Sequence, residues 1–239
     1  MSTENRRSRP SLAKGVPVAV LSDRKILEER LRGNIVIQPF NPRHLQSSSY
    51  DLTLGRYLYR EQLPKKGAHQ PMFNIYDPND VTRVWGGYWE EAAKAQRLMD
   101  ESPAANWTNI KPEDEVILLD PGETILAHTQ EFVGFRNIGT AMMKARSSLG
   151  RVFIEVCKCA GWGDNGYINR WTMEITNNSK EYAIPLIVGT RVAQLVFFYT
   201  GETDRPYHAT GNYQTTASLE ELERSWSPAS MLPRIKRPD

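Results

Sequence analysis

The sequence is poor in the residues that metal centres and disulfide frameworks need. Of its 239 residues, two are cysteine and four are histidine. Two cysteines cannot build a framework of several disulfides. They form a lone Cys157-x-Cys159 with no second pair, and His44, His69, His128 and His208 show no ligand spacing, so zinc is not expected. On a strand the two cysteines share a face and are expected as small core residues. No run of about 18 apolar residues occurs, so no membrane-spanning helix is expected. An excess of positive charge is also missing: 30 Lys and Arg face 28 Asp and Glu, a net charge of +2. A protein that coats nucleic acid carries a larger basic surplus. The polar N-terminus lacks an apolar signal core, and the expected compartment is the cytoplasm. There is no Walker A pattern and no internal repeat.

What is present suffices for a folded core, since 40% of residues are apolar. Residues 1–17 are polar and basic and read as a loose arm. Ser22 can cap a helix with the apolar stripe Ile26, Leu27 and Leu31, closed by Gly33. Ile35 to Ile37 reads as a strand, and Tyr50 to Tyr59 as a strand bent at Gly55. The stretch 61–115 is Pro-containing, polar and Trp-rich, and reads as an insertion carrying one helix over Tyr88 to Met99. From Val116 onward short strands alternate with turns, at 116–119, 123–128, 140–144, 152–159, 170–176, 183–187 and 191–199. That spacing indicates a mainly β protein, a barrel or double sheet. One β-domain over 18–216 is followed by a polar tail, 217–239, with a short helix at Leu219 to Arg224.

Two neighbouring segments carry chemistry. Lys144-Ala-Arg-Ser-Ser-Leu-Gly-Arg151 packs two arginines and two hydroxyls around a glycine turn, a combination that suits phosphate oxygens. Ala160 to Thr176 begins with a formal Gly-x-Gly-x-x-Gly match at Gly161 to Gly166. A dinucleotide fingerprint needs a helix next, yet Tyr167 to Asn177 alternates like a strand. On that strand Trp171, Met173 and Ile175 share one face, and Thr172, Glu174 and Thr176 the other. A carboxylate at Glu174 on a rigid strand suits general base work if its face lines a cavity, and is an ordinary exposed Glu if it does not. Asp164 sits in a Gly-flanked turn.

These segments resemble the dCTP deaminase/dUTPase superfamily. The similarity runs through Arg146-Ser-Ser-Leu-Gly-Arg151, Ala160-Gly161, Asp164, Gly166-Tyr167, Glu174, Pro185 to Gly189 and Val192 to Phe197. Upstream, Leu21 to Ile26 and Ser49 to Gly55 resemble the first helix and strand of the dCTP deaminases; downstream, Pro206-Tyr207 and Gly211 to Gln214 resemble their C-terminal segment. The resemblance implies a distorted, jelly-roll-like β-barrel with a few short helices. It implies a homotrimer with sites between subunits, a deoxynucleotide substrate, and zinc-free deamination of dCTP to dUTP and ammonia. The His-x-Glu and Pro-Cys-x-x-Cys signature of zinc deaminases is absent. Mg²⁺ is implied only as a companion of the triphosphate; no nucleic-acid or membrane partner is implied.

By the same resemblance Glu174 is the general base, supported by Ser147 and Arg151. Arg146, Ser147 and Ser148 hold phosphates. Asp164 binds the sugar 3′-hydroxyl, Tyr167 lies against the deoxyribose, and backbone at Ala160 and Thr172 reads the base. Gln194 faces the nucleotide; Tyr207, Tyr213 and Gln214 close over it. Dutpase-type pyrophosphate release, a bifunctional enzyme yielding dUMP, and a non-catalytic nucleotide-binding homologue are the alternatives. The chain departs from the pattern where Gly163 replaces an isoleucine, Asn165 a proline, Asn212 a lysine that meets phosphate, and Thr216 a glutamine. Trp162 and Trp171 imply an altered base pocket, such as one for a modified cytosine.

Overall fold

A computed structural model describes residues 19–64, 72–136, 138–200 and 203–235. The expected arm, 1–17, lies outside the described residues. Strand accounts for 34% and helix for 22%, so the mainly β expectation is met. The elements are α1 (Asp23–Leu31), β1 (Ile35–Gln38), β2 (Tyr50–Thr53), β3 (Tyr57–Arg60), α2 (Pro78–Trp85), β4 (Glu90–Glu91), β5 (Ala93–Lys94) and α3 (Ala95–Glu101). Then follow β6 (Glu115–Leu119), β7 (Thr124–Phe135), β8 (Gly139–Ala145), α4 (Ser147–Gly150), β9 (Ile154–Glu155), β10 (Trp162–Gly163) and β11 (Ile168–Asn177). The chain ends with β12 (Ile184–Ile187), β13 (Arg191–Tyr199), α5 (Tyr207–Thr210) and α6 (Leu219–Ser225).

Among the described residues the strands form three sheets that do not close into a barrel. The largest has the order β4-β3-β7-β11-β9, with β1 also on β7; the second is β10-β8-β13-β2, and the third β12-β6-β5. Their inner faces meet in one core built from Leu52, Ile125, Ala127, Val133, Phe135, Met143, Trp171, Met173, Ile175, Leu195 and Phe197. Alternation along β11 works as the period of two demands: Trp171, Met173 and Ile175 enter the core. Burying such a side chain contributes roughly 1.5–3 kcal/mol, so the register of β11 against β7 is strongly held.

Several expectations need correction. Ser22 does cap α1, accepting from the Lys25 amide, but Leu27 and Leu31 are exposed and the buried pair is Ile26 and Glu29. Glu29 is held by Asn34, Arg32 and the Tyr199 hydroxyl, which offset the cost of burying a carboxylate. The strand bent at Gly55 is two strands, β2 and β3, in different sheets. Among the described residues the insertion carries two helices, and only the second, Ala95–Glu101, overlaps the expected one; Glu90–Glu91 and Ala93–Lys94 pair as short strands instead. Only Ile154–Glu155 of 152–159 is strand. Cys157 is therefore buried as expected, but Cys159 sits in a turn and is exposed. The short helix expected at Leu219 to Arg224 is present as Leu219–Ser225, and over 217–235 the tail packs on the body: Leu222 on Val36, Phe132 and Ile168, and Met231 on Tyr59 and Leu126.

Candidate active site

Strand β11 and the turn before it shape a cavity of about 310 Å³, lined by Ala160, Trp162, Gly163, Asp164, Tyr167, Trp171, Thr172, Glu174, Tyr207 and Tyr213. Seven residues singled out from the sequence thus converge: Ala160, Asp164, Tyr167, Thr172, Glu174, Tyr207 and Tyr213. The Gly-x-Gly-x-x-Gly match leads into a strand, as its alternation implied.

Glu174 stands opposite Leu126 on β7 and is half-buried. Its Oε2 is buried and, among the described residues, has no hydrogen-bond partner. Burial holds its carboxyl above the ordinary value of 4.5, with Glu155 adding to the rise; its own backbone amide and the Lys158 ammonium pull the other way. A carboxylate with an idle oxygen facing a cavity is poised to accept a proton. Lys158 is the neighbour that sequence reasoning missed. It adopts φ 41°, a left-handed conformation uncommon outside glycine, in the tight turn after Cys157. The same turn brings the Cys157 thiol close enough for Glu174 to push its pKa up, after burial, the larger cause.

Asp164 is exposed at the cavity rim. Its carbonyl accepts from the Tyr167 amide at 2.9 Å, and Gly166 takes φ 87° to complete the turn. Tyr167 meets Trp171 edge-on at 5.4 Å and Tyr207 at 5.0 Å, an aromatic wall. Burial drives the Tyr167 phenol well above its ordinary value, so it stays protonated. Gly163 has a specific reason to be glycine: a Cβ there would lie 2.4 Å from the Trp171 ring. Trp171 thus occupies space that a larger residue 163 would fill, and its Nε1 donates to the Val133 carbonyl at 2.9 Å.

The arginine-serine segment opens elsewhere. Arg146 and Ser148 line a second cavity of about 410 Å³ with His44, Leu149, Gly189, Thr190 and Arg191. Arg146 and Arg191 both bond the buried Asp51 carboxylate, Arg191 at 3.1 Å. Two guanidiniums on one carboxylate leave a net positive charge at this mouth. Ser147 and Arg151 are exposed on and after the short helix α4. Gln194 lies on β13 between Lys144 and Asp51. Gln214 is buried: its Oε1 accepts from the Ile168 amide at 2.7 Å, and its Nε2 donates to the Gly166 and Thr216 carbonyls. It clamps the C-terminal segment to β11. Asp51 and Arg191 were not singled out, although Asp51 sits in the quoted Ser49 to Gly55 motif. Among the described residues no three His, Cys, Asp or Glu side chains converge as a metal-binding group, and no helix is long and apolar enough to cross a membrane.

The sequence model of the dCTP deaminase-like family matches residues 20–200. The chain belongs to that family. Among curated relatives, "dCTP deaminase, dUMP-forming" of Methanosphaerula palustris is 30% identical over 189 residues, covering 79% of this chain and 86% of that one. The same-named protein of Methanobrevibacter smithii is 32% identical, covering 80% and 86%. Among solved structures, 2′-deoxycytidine 5′-triphosphate deaminase from Agrobacterium tumefaciens aligns with TM-score 0.50 and 17% identity, over 76% of this chain and 48% of that chain. That likeness supports the fold alone.

Proposed function

We propose that the protein hydrolytically deaminates the cytosine of a deoxycytidine nucleotide, dCTP first among them, without zinc. The observation that carries this reading is the idle, buried Oε2 of Glu174 in a cavity walled by Tyr167, Trp171 and Tyr207. Glu174 takes a proton from water as the water oxygen bonds to C4 of the base, and passes that proton to N3. A second transfer through Glu174 protonates the amino group, the C4–N bond breaks, ammonia leaves, and a uracil nucleotide remains. Asp164 holds the 3′-hydroxyl, Tyr167 lies against the deoxyribose, and backbone at Ala160 and Thr172 reads the base edge. Trp171 and Trp162 shape the space beside the base.

The separation of the two cavities supports a site completed by a second copy of the chain. The mouth at Arg146 and Ser148, with exposed Ser147 and Arg151 beside it, serves the phosphates of a nucleotide whose base lies against a neighbour's Glu174. A homotrimer satisfies this for every copy. Gln194 and Gln214 act by shaping the walls. Mg²⁺ arrives on the triphosphate oxygens.

A second reading joins pyrophosphate release to deamination, so that dCTP yields dUMP. The curated relatives carry "dUMP-forming" in their names, and Asp164 shares the cavity with Glu174. Incubating the protein with dCTP, dCMP and dUTP, with chromatography of nucleotides and a pyrophosphate assay, tests both. Ammonia release lost in Glu174→Gln supports deamination, and pyrophosphate from dCTP lost in Asp164→Asn supports the joined reaction. Full turnover in Glu174→Gln overturns the assignment.

A further inference from the structure

The family match ends at residue 200, and the chain beyond it does not hang free. Ser218 caps α6, whose Leu222 packs on Phe132 and Ile168. Trp226 meets the His128 ring at 4.7 Å, with the Arg170 guanidinium 4.6 Å from its own ring centre. Met231 is buried against Tyr59 and Leu126. This anchored extension then delivers Arg234 onto the segment that borders the cavity. The Arg234 amide donates to the Tyr213 hydroxyl at 3.1 Å. Its Nη1 donates to the Asn212 carbonyl at 3.2 Å, and its guanidinium lies 5.9 Å over the Tyr213 ring. Tyr213 itself lines the cavity with Glu174, Tyr207 and Asp164.

We propose that Arg234 is a positioning residue, which latches Tyr213 against the nucleotide cavity and so couples docking of the C-terminal extension to closure of the site. Three contacts from one residue fix the phenol hydroxyl, the ring face and the adjoining carbonyl together. The Asn169 side chain also donates to the Tyr213 carbonyl at 3.2 Å, but among the described residues of the extension Arg234 alone touches the Tyr213 hydroxyl and ring face. Gln214 pins its end to β11, while Asn212 and Tyr213 are exposed. Ordering a tyrosine and its backbone before the nucleotide arrives lowers the cost of binding rather than the barrier to chemistry. The latch therefore acts on KM, through Tyr213, and not on the hydrolytic step at Glu174.

The role in turnover rests on the deaminase reading; the latch itself does not. The test compares full-length wild type, Arg234→Ala and Arg234→Lys by two measurements. One is steady-state deamination of dCTP. The other is hydrogen exchange of 207–216, read by mass spectrometry on the protein alone. Losing one cation–ring contact and one exposed hydrogen bond should raise KM about five- to tenfold with kcat unchanged within about twofold. Exchange should quicken in 207–216 and nowhere else. Arg234→Lys, which retains a cation over the ring, should fall between the two. Unchanged exchange and unchanged KM in Arg234→Ala would overturn the proposal. So would a fall in kcat with protection lost across the whole sheet, which marks a merely structural role. Faster exchange of 207–216 in a protein inactive on every deoxycytidine nucleotide would retain the latch and overturn the deaminase reading instead.

Discussion

Replacing His128 with glutamine should flatten the pH dependence of stability between about pH 7 and about pH 5. His128 is 2% exposed, in the middle of β7. Its Nδ1 bonds the Thr129 carbonyl at 2.8 Å and its Nε2 faces the Tyr57 amide at 3.3 Å, the pattern of a neutral ring with its proton on Nδ1. The ring packs against Tyr57, stacked at 5.7 Å, and Trp226 at 4.7 Å. Burial, with Arg170 nearby, lowers its pKa from 6.5 to about 4, against an opposing hydrogen bond to Thr129. A depressed histidine favours the folded state above the unfolded value of 6.5, and that support is lost as pH falls toward 4. Across the whole interval the loss is about 3 kcal/mol, and about 2 kcal/mol is gone by pH 5. Glutamine offers a donor and an acceptor but does not titrate. Its lost stacking weakens the fold equally at every pH and drops out of the comparison. Urea unfolding of wild type and His128→Gln at several pH values gives the difference directly. Parallel stability curves for the two proteins would refute the reasoning.

Glu174→Gln should lower kcat for dCTP by roughly 10²–10⁴ while equilibrium dialysis shows nucleotide still bound. Because burial raises the Glu174 pKa, the acid limb of kcat/KM should lie above 4.5, with activity rising as pH climbs through it; a limb at or below that value removes the buried base. Gly163→Ile, which restores the family's usual residue, should destabilise by about 1–3 kcal/mol in urea because its Cβ meets the Trp171 ring, and Gly163→Ile with Trp171→Val should recover much of that loss. Asp51→Asn should leave Arg146 and Arg191 facing each other without their shared carboxylate, raising KM for dCTP more than for dCMP in a steady-state comparison.

Much of the strand placement along the chain was legible because β-strands announce themselves by alternation and turn residues. The strands at 116–119, 140–144, 183–187 and 191–199 stand within a residue or so of their expected bounds. Failures cluster where a residue's partner is distant in sequence. Leu27 and Leu31 match a helical stripe, but α1 lies on the body by Ile26 and by Glu29, whose partner Tyr199 is 170 residues away. Tyr88 to Met99 is rich in helix formers, yet its first half pairs with β3 and β6; tertiary pairing outweighs propensity worth a few tenths of a kcal/mol per residue. Cys159 escapes the core because Lys158 turns the chain with φ 41°. Of the site, the residues near one another in sequence came together, and Tyr207 and Tyr213 joined them through a motif. The Asp51 clamp was hidden because one acid drawing in two arginines, 95 and 140 residues away, has no local signature.

One irregularity in the central pair of strands lies just before Glu174. Arg170 stands opposite Phe132 and Thr172 opposite His128, so two steps along β11 answer four along β7. The extra residues on β7 are accommodated by a bulge, which bends and twists the pair locally. The bulge is held from both sides: the Thr129 hydroxyl accepts from the Trp171 amide at 2.9 Å and donates to the Glu131 carbonyl at 2.8 Å, while the Glu131 carboxylate receives the Thr53 amide and hydroxyl. Regular pairing resumes at Thr172, two residues before Glu174. The strand that carries Glu174 is therefore held by a buried network of Thr53, Thr129 and Glu131, none of which lines the cavity. Thr129→Val, nearly equal in volume but unable to make either bond, should cost stability and activity together, because the strand that carries Glu174 loses its fixed departure point.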